Sequence, residues 1–301
     1  MEKYLLGSPK IAVQTVPRSD STIGNYVYGF ANRDGLTLWM PLANFYLDQL
    51  AGRKHVKFDV REFNWIGTQE KTPMILYMRA DAPYKSIGDI INASSPPTCG
   101  AIRTDDASYV LAKILEETLG AKIDLNMGYS GGREIDEAVE KGKVICRGMT
   151  ISAHFGREPF INWHIKRFDR HLVQSGRELD PRPTEAPTIY DLMDEYKTPE
   201  ISRRVAQVLM LGQEFGRPML APPGVPPDRV RLLREAYVKT VKDPGLLAEA
   251  KERKMDMEPS SGEELQALVN KVMDQPAEVI LRVKQLLETE VGSAAYRLSP
   301  K

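Results

Sequence analysis

Between Thr98 and Met149 the chain alternates strand, polar loop, helix, strand, glycine-rich loop, helix and strand, an order that restricts the possible folds sharply. Thr98 to Ile102 is a short apolar run, followed by Arg103-Thr104-Asp105-Asp106-Ala107-Ser108-Tyr109. Val110, Leu111, Ile114, Leu115 and Leu119 then fall on one helical face, with Gly120 as the stop. Ile123 to Met127 is the next strand, Gly128-Tyr129-Ser130-Gly131-Gly132 the loop, Arg133 to Lys141 the helix, and Lys143 to Met149 the third strand. Two successive strand-to-helix loops at the carboxyl ends of neighbouring strands make the rim of a cleft in an open α/β sheet. Helix N-termini there present N–H groups that suit a carboxylate. A small ligand belongs at this rim. The same residue types also build ordinary βα turns, and spacing alone does not separate the two readings.

The 301 residues suffice for two domains. Net charge is zero, without the clustered basic excess of a nucleic-acid-binding surface. No apolar run approaches the length of a membrane-spanning helix. Cys99 and Cys146 fall in two expected strands and read as small buried hydrophobes; a disulfide is open if those strands are neighbours. His55, His154, His164 and His171 show no ligand spacing with carboxylates or cysteines. They read as structural or surface residues, so no metal site and no cofactor is expected.

Elsewhere the pattern continues in the same style. Met1 to Gly7 resembles the end of a helix, and the first residues carry no signal-peptide pattern. Lys10 to Val16 reads as a strand, with Ser21 capping a helix over Thr22 to Tyr28. Leu36 to Trp39 reads as a short strand, Leu42 to Leu50 as helical, and Thr72 to Met78 as a buried strand. Ser86 caps Ile87 to Ile91, and Thr188 caps Ile189 to Met193. Ser152 to Arg170 has no clear period, and its aromatics, Phe155, Phe160, Trp163 and Phe168, read as packing beneath a loop. Pro222 to Pro227 can be neither helix nor central strand. Helices then run from Asp228 to Asp243, from Leu246 to Arg253, from Gly262 to Met273 and from Pro276 to Glu288.

The last third carries Ala221-Pro222-Pro223-Gly224-Val225-Pro226-Pro227-Asp228-Arg229-Val230, then Leu233-Arg234-Glu235-Ala236, Lys242-Asp243-Pro244 and Ser261-Gly262-Glu263-Glu264-Leu265. Earlier come Val13-Gln14-Thr15-Val16-Pro17, Ser21-Thr22-Ile23-Gly24, Asp34-Gly35-Leu36-Thr37-Leu38 and Phe63-Asn64-Trp65-Ile66-Gly67-Thr68. Lys85-Ser86-Ile87, Gly128-Tyr129-Ser130-Gly131-Gly132 and Ala186-Pro187-Thr188-Ile189-Tyr190 complete the series. In order and spacing the chain resembles the substrate-binding receptors of tripartite tricarboxylate transporters, the Bug family. The resemblance implies an α/β, type II periplasmic-binding-protein fold, two lobes joined by two crossing strands with the ligand between them. Residues 1–78 plus 218–301 would form one lobe and 79–217 the other. By position, Ser21, Thr22 and Thr68 would face the ligand from the first lobe, and Thr104, Ser108, Tyr129 and Gly131 from the second. Hydroxyls and N–H groups suit a carboxylate held without a salt bridge. The resemblance further implies a monomeric periplasmic receptor without bond chemistry, which hands a small carboxylated metabolite to membrane permease subunits.

The chain also departs from the family. It begins near the end of the family's first helix and lacks the signal peptide and first strand, so an amino-terminally truncated version of the fold is expected. Arg18-Ser19-Asp20 stands in place of a glycine-rich loop, and Arg147 follows Val144-Ile145-Cys146 where the family has an acidic residue after valine. Asp105 and Asp106 put negative charge at a helix start, either to favour the helix dipole or to suit a neutral or cationic ligand. Two alternatives stay open: a copy that binds no ligand, and an enzyme on the same architecture using Tyr129 with Asp106 as acid and base.

Overall fold

The computed structural model describes residues 1–288 and the backbone of residues 297–298. A short 3-10 turn, Glu2–Tyr4, precedes α1 (Asp20–Gly29), α2 (Tyr46–Leu50) and β1 (Asn64–Thr68). Then come β2 (Met74–Arg79), α3 (Ile87–Ile91), β3 (Thr98–Gly100), α4 (Ala107–Leu119), β4 (Asp124–Met127), α5 (Gly132–Glu140) and β5 (Cys146–Thr150). Next are α6 (Ile151–Gly156), α7 (Phe160–Lys166), β6 (Asp169–Gln174), α8 (Ile189–Glu195), α9 (Glu200–Met210), α10 (Gly212–Phe215) and β7 (Met219–Ala221). The chain continues with α11 (Pro227–Val241), α12 (Pro244–Glu252), β8 (Ser260–Ser261), α13 (Gly262–Met273), α14 (Ala277–Leu287) and β9 (Arg297–Leu298).

The chain divides into two compact units. Unit 1 comprises Met1–Thr72 and Leu211–Ala277, and unit 2 comprises Pro73–Met210 and Glu278–Lys301. The sequence reading instead divides the chain at 78/79 and 217/218 and keeps the last helix with the first lobe. In the structure α14 buries Val279, Val283 and Leu287, and its Leu286 carbonyl accepts the Tyr109 hydroxyl of α4 at 2.9 Å. Arg282 reaches Glu117 of α4 at 2.7 Å. These contacts place α14 in unit 2.

In unit 1, β1 pairs antiparallel with β7 on one edge and β8 on the other. Aromatic rings fill the core beside it: Trp39 lies edge-on to Phe45 at 5.1 Å, and Trp65 packs on Phe215 at 4.7 Å. The buried Trp65 indole donates to the Val60 carbonyl, so its polar edge is satisfied. Ile66, Val225, Val230, Leu233 and Tyr237 form a second apolar cluster under α11. Lys10 to Val16, expected as a strand, is irregular, and its Val13 side chain is exposed. β1 already has β7 and β8 on its two edges, and this segment pairs with no strand among the described residues. Of Leu36 to Trp39, only Trp39 bridges to the sheet, at Leu220.

In unit 2 the strand order is β6-β2-β5-β3-β4-β9. β2 runs antiparallel to β6 and β5, whereas β3 runs parallel to β5 and β4. Cys99 and Cys146 are direct partners across β3 and β5, and they form a disulfide. The strand neighbourhood that spacing left open is therefore present. Asp106 caps α4, and Gly120, left-handed at φ 70°, ends it. Val110, Leu111, Ile114 and Leu115 are fully buried between those ends. Capping boxes start α3 (Ser86 with Asp89), α8 (Thr188 with Asp191) and α13 (Ser261 with Glu264). Ser152 to Arg170 resolves into α6 and α7, and Phe160 and Trp163 sit in the core with Tyr77, Ile135 and Val139. Glu200–Met210, which the sequence reading left unassigned, packs as α9 on α4 and buries Val205, Ala206 and Leu209.

Candidate functional site

In unit 2 the loops after β3 and β4 lie side by side, because those strands are parallel neighbours. The Ala101 N–H donates to the Asn126 carbonyl at 2.9 Å, which carries the pairing into the first loop. Thr104 is half-buried in that loop. Asp106 follows, its carboxylate accepting from the N–H groups of Ile102 and Tyr109. Burial pushes the Asp106 carboxyl above its ordinary value, against the pull of those two N–H donors. Asp105 turns outward to Arg103 at 3.0 Å. Asp106 is thus a helix cap, and one N–H of the α4 N-terminus is already taken.

Ser108 is 2% exposed and is committed on both sides. Its hydroxyl donates to the Gly148 carbonyl at 3.1 Å and accepts the Gly148 N–H at 2.8 Å. Tyr129 folds back into the core, and its hydroxyl lies 3.3 Å from the Asn126 amide nitrogen. Burial, with Glu134 nearby, raises its phenol above the ordinary value. Gly131 is the N-cap of α5 and supplies no side-chain cap, so the first N–H groups of that helix lack that partner. Next to it, Ser130 donates through both N–H and hydroxyl to Glu134 at 2.8 Å. The Arg147 guanidinium, nearly buried, pairs with Asp136 and holds the Gly132 carbonyl at 3.0 Å. Sequence reasoning noted Arg147 as a departure but missed its partner, which lies one helix away.

Unit 1 holds the other expected residues. Ser19, not Ser21, caps α1, because the chain is extended at Ser19 and turns helical at Asp20. Ser21 is buried in the first turn with its hydroxyl 3.2 Å from that of Ser19, and Thr22 is exposed. Thr68 ends β1 fully buried. Its hydroxyl donates to the Glu70 carbonyl at 3.1 Å and accepts the Arg217 N–H at 3.0 Å.

Unit 2 also gathers three of the four histidines that the sequence reading set aside. His154 from α6, His164 from α7, and Asp169 and His171 from β6 bring four ligand-type atoms within 4.8 Å of one another. Burial lowers His154 to about 4 and also lowers His164. Burial pushes Asp169 up, but close contact with His154 and His171 more than reverses this and holds it below the usual carboxylate range. Their sequence signal was slight: Asp169 and His171 sit two apart on a strand, hence on one face. The two helical histidines join them only through the α6–α7 turn.

No family model matches this sequence, and no curated protein does. Solved structures do match. A TctC solute-binding protein from Polaromonas aligns with a TM-score of 0.62 at 15% identity, over 90% of this chain and 84% of that one. The periplasmic binding protein BugD aligns at 0.61 and 17% identity, over 89% and 83%. MatC from Rhodopseudomonas palustris, with bound malate, aligns at 0.60 and 16% identity, over 89% and 84%. The chain has a periplasmic-binding-protein fold. The α/β architecture expected from the order of elements is thereby found, at identities where likeness concerns fold.

Proposed function

We propose that this protein is an extracytoplasmic receptor that binds a small carboxylated metabolite and hands it to the permease subunits of a tripartite tricarboxylate-type transporter. The observation that carries the reading is the shared fold, which covers 89% of this chain against a protein holding malate. The Cys99–Cys146 disulfide supports an oxidising compartment such as the periplasm. In this reading the protein binds without bond chemistry. Asp106 serves as a cap and the Tyr129 hydroxyl faces Asn126, which leaves neither arranged as an acid/base pair.

Within unit 2, Thr104 and the uncapped α5 N-terminus at Gly131 are the groups we assign to a carboxylate, with Tyr129 as the apolar wall beside them. Ser108 holds α4 against β5 so that the Thr104 loop keeps its place. In unit 1, Ser21 and Thr22 at the start of α1 are the assigned polar groups, and Thr68 fixes the end of β1. Neutral hydroxyl and N–H donors favour an anion while avoiding the desolvation of a lysine or arginine. The test is thermal unfolding against a panel of di- and tricarboxylates. A ligand at about 100 times its dissociation constant adds roughly 2.7 kcal/mol. A rise in melting temperature with one acid of the panel supports the reading, and no rise with any of them counts against it.

A further inference from the structure

We propose that His154, His164, Asp169 and His171 form a closed four-ligand site for Zn2+ that clasps α6 and α7 to β6. Asp169 Oδ2 lies 2.8 Å from His154 Nε2, 3.5 Å from His171 Nε2 and 4.0 Å from His164 Nε2, and the His154 and His171 nitrogens are 3.0 Å apart. Ligand atoms bound tetrahedrally at zinc distances stand roughly 3.3 Å from one another, the middle of this range. All four ligand atoms already lie within 4.8 Å of one another, and a shift of the His164 ring toward the other three would complete the shell.

Hydrogen bonding within the protein accounts for only part of the cluster, the His154–His171 contact. His164 Nε2 and both Asp169 oxygens are buried without a well-formed hydrogen bond. Close approach without alignment is what donors aimed at a common centre produce. The Asp169 side chain is 1% exposed, and among the described residues it pairs with no lysine or arginine. A buried carboxylate in that position calls for another cation. Three imidazole nitrogens and one carboxylate oxygen select against Ca2+ and Mg2+, which take oxygen shells, and suit Zn2+.

The rings are also held ready. Tyr77 stacks on His154 at 4.8 Å, Phe160 packs on it at 4.6 Å, and Phe155 stacks on His164 at 4.6 Å. His164 and His171 retain 24% and 15% side-chain exposure, which gives an ion a way in. Four protein ligands leave no open position, so the site is structural and independent of carboxylate binding.

The experiment uses the untagged full chain, stripped with chelator and dialysed against Zn2+. Metal analysis should find one zinc per chain, and Zn2+ should raise the melting temperature. Co2+ in its place should give the intense visible spectrum of a tetrahedral ion. His164→Ala and His171→Ala, both reaching the surface, should stay folded by circular dichroism yet bind Zn2+ more weakly by more than the roughly 10–100-fold that loss of an outer-shell partner costs. His55→Ala should bind as the parent does. Failure of the parent chain to retain zinc overturns the proposal. So does full zinc retention by His164→Ala and His171→Ala, which would place the ion on other histidines.

Discussion

The Ser108 hydroxyl and the Gly148 backbone exchange two hydrogen bonds, one in each direction, between the start of α4 and the middle of β5. β3 ends at Gly100, so the edge of β5 beyond Cys146 has no strand to pair with there. Ser108 takes that place. The approach is close enough that a Cβ on Gly148 would stand 2.8 Å from the Ala107 carbonyl and from Ser108 Cα. Ser108→Ala leaves two buried backbone groups unpaired and should destabilise the fold by about 2–4 kcal/mol. Gly148→Ala should be at least as damaging, because backbone must move to admit the methyl group. Urea unfolding of both variants measures this.

Thr68 plays the same part in unit 1. Its hydroxyl joins the Glu70 carbonyl to the Arg217 N–H. Thr68→Val keeps the shape and removes both bonds, with an expected loss of about 1–3 kcal/mol. Chemical denaturation reads the loss, and unchanged stability would show that water replaces the hydroxyl.

Arg147 and Asp136 form a nearly buried ion pair, with the Gly132 carbonyl as a further acceptor. Tyr77 also donates to Asp136, at 3.3 Å. Arg147→Met leaves the Asp136 carboxylate with only the half-exposed Arg157, 3.8 Å away, as a cationic partner and should cost about 3 kcal/mol. Removing both charges, with Asp136→Leu in the same chain, should recover most of that loss. A double-mutant cycle by denaturation separates the two outcomes.

The disulfide closes a sequence separation of 47 residues across adjacent strands. Cys99→Ser with Cys146→Ser should lower stability by about 4 kcal/mol. Reduction of the parent chain should lower the melting temperature similarly, and equal melting of reduced and oxidised protein would refute the assignment.

Much of this fold was legible because its signals are local. The pairs Ser86 and Asp89, Thr188 and Asp191, and Ser261 and Glu264 sit three residues apart and mark helix starts that the structure reproduces. Gly120 likewise marks a stop. Lys10 to Val16 misled because apolar content states a preference, while a strand also requires a partner strand, and this segment has none among the described residues. Ser108 and Thr68 were legible as polar residues at βα or strand ends, but which backbone groups they bind depends on strand lengths and crossovers. His154, His164 and Asp169 were illegible as a set because they meet through the packing of α6 and α7 on β6. Cys99 and Cys146 fell between these cases: each strand was readable, their adjacency was not.

The most direct test of the receptor reading is isothermal titration calorimetry of the oxidised chain with malate, adipate, citrate and related acids. The account predicts saturable one-to-one binding of at least one acid, weakened roughly tenfold in Thr104→Val without loss of fold stability. A cooperatively folded protein that gives no saturable heat with any of these acids would contradict it.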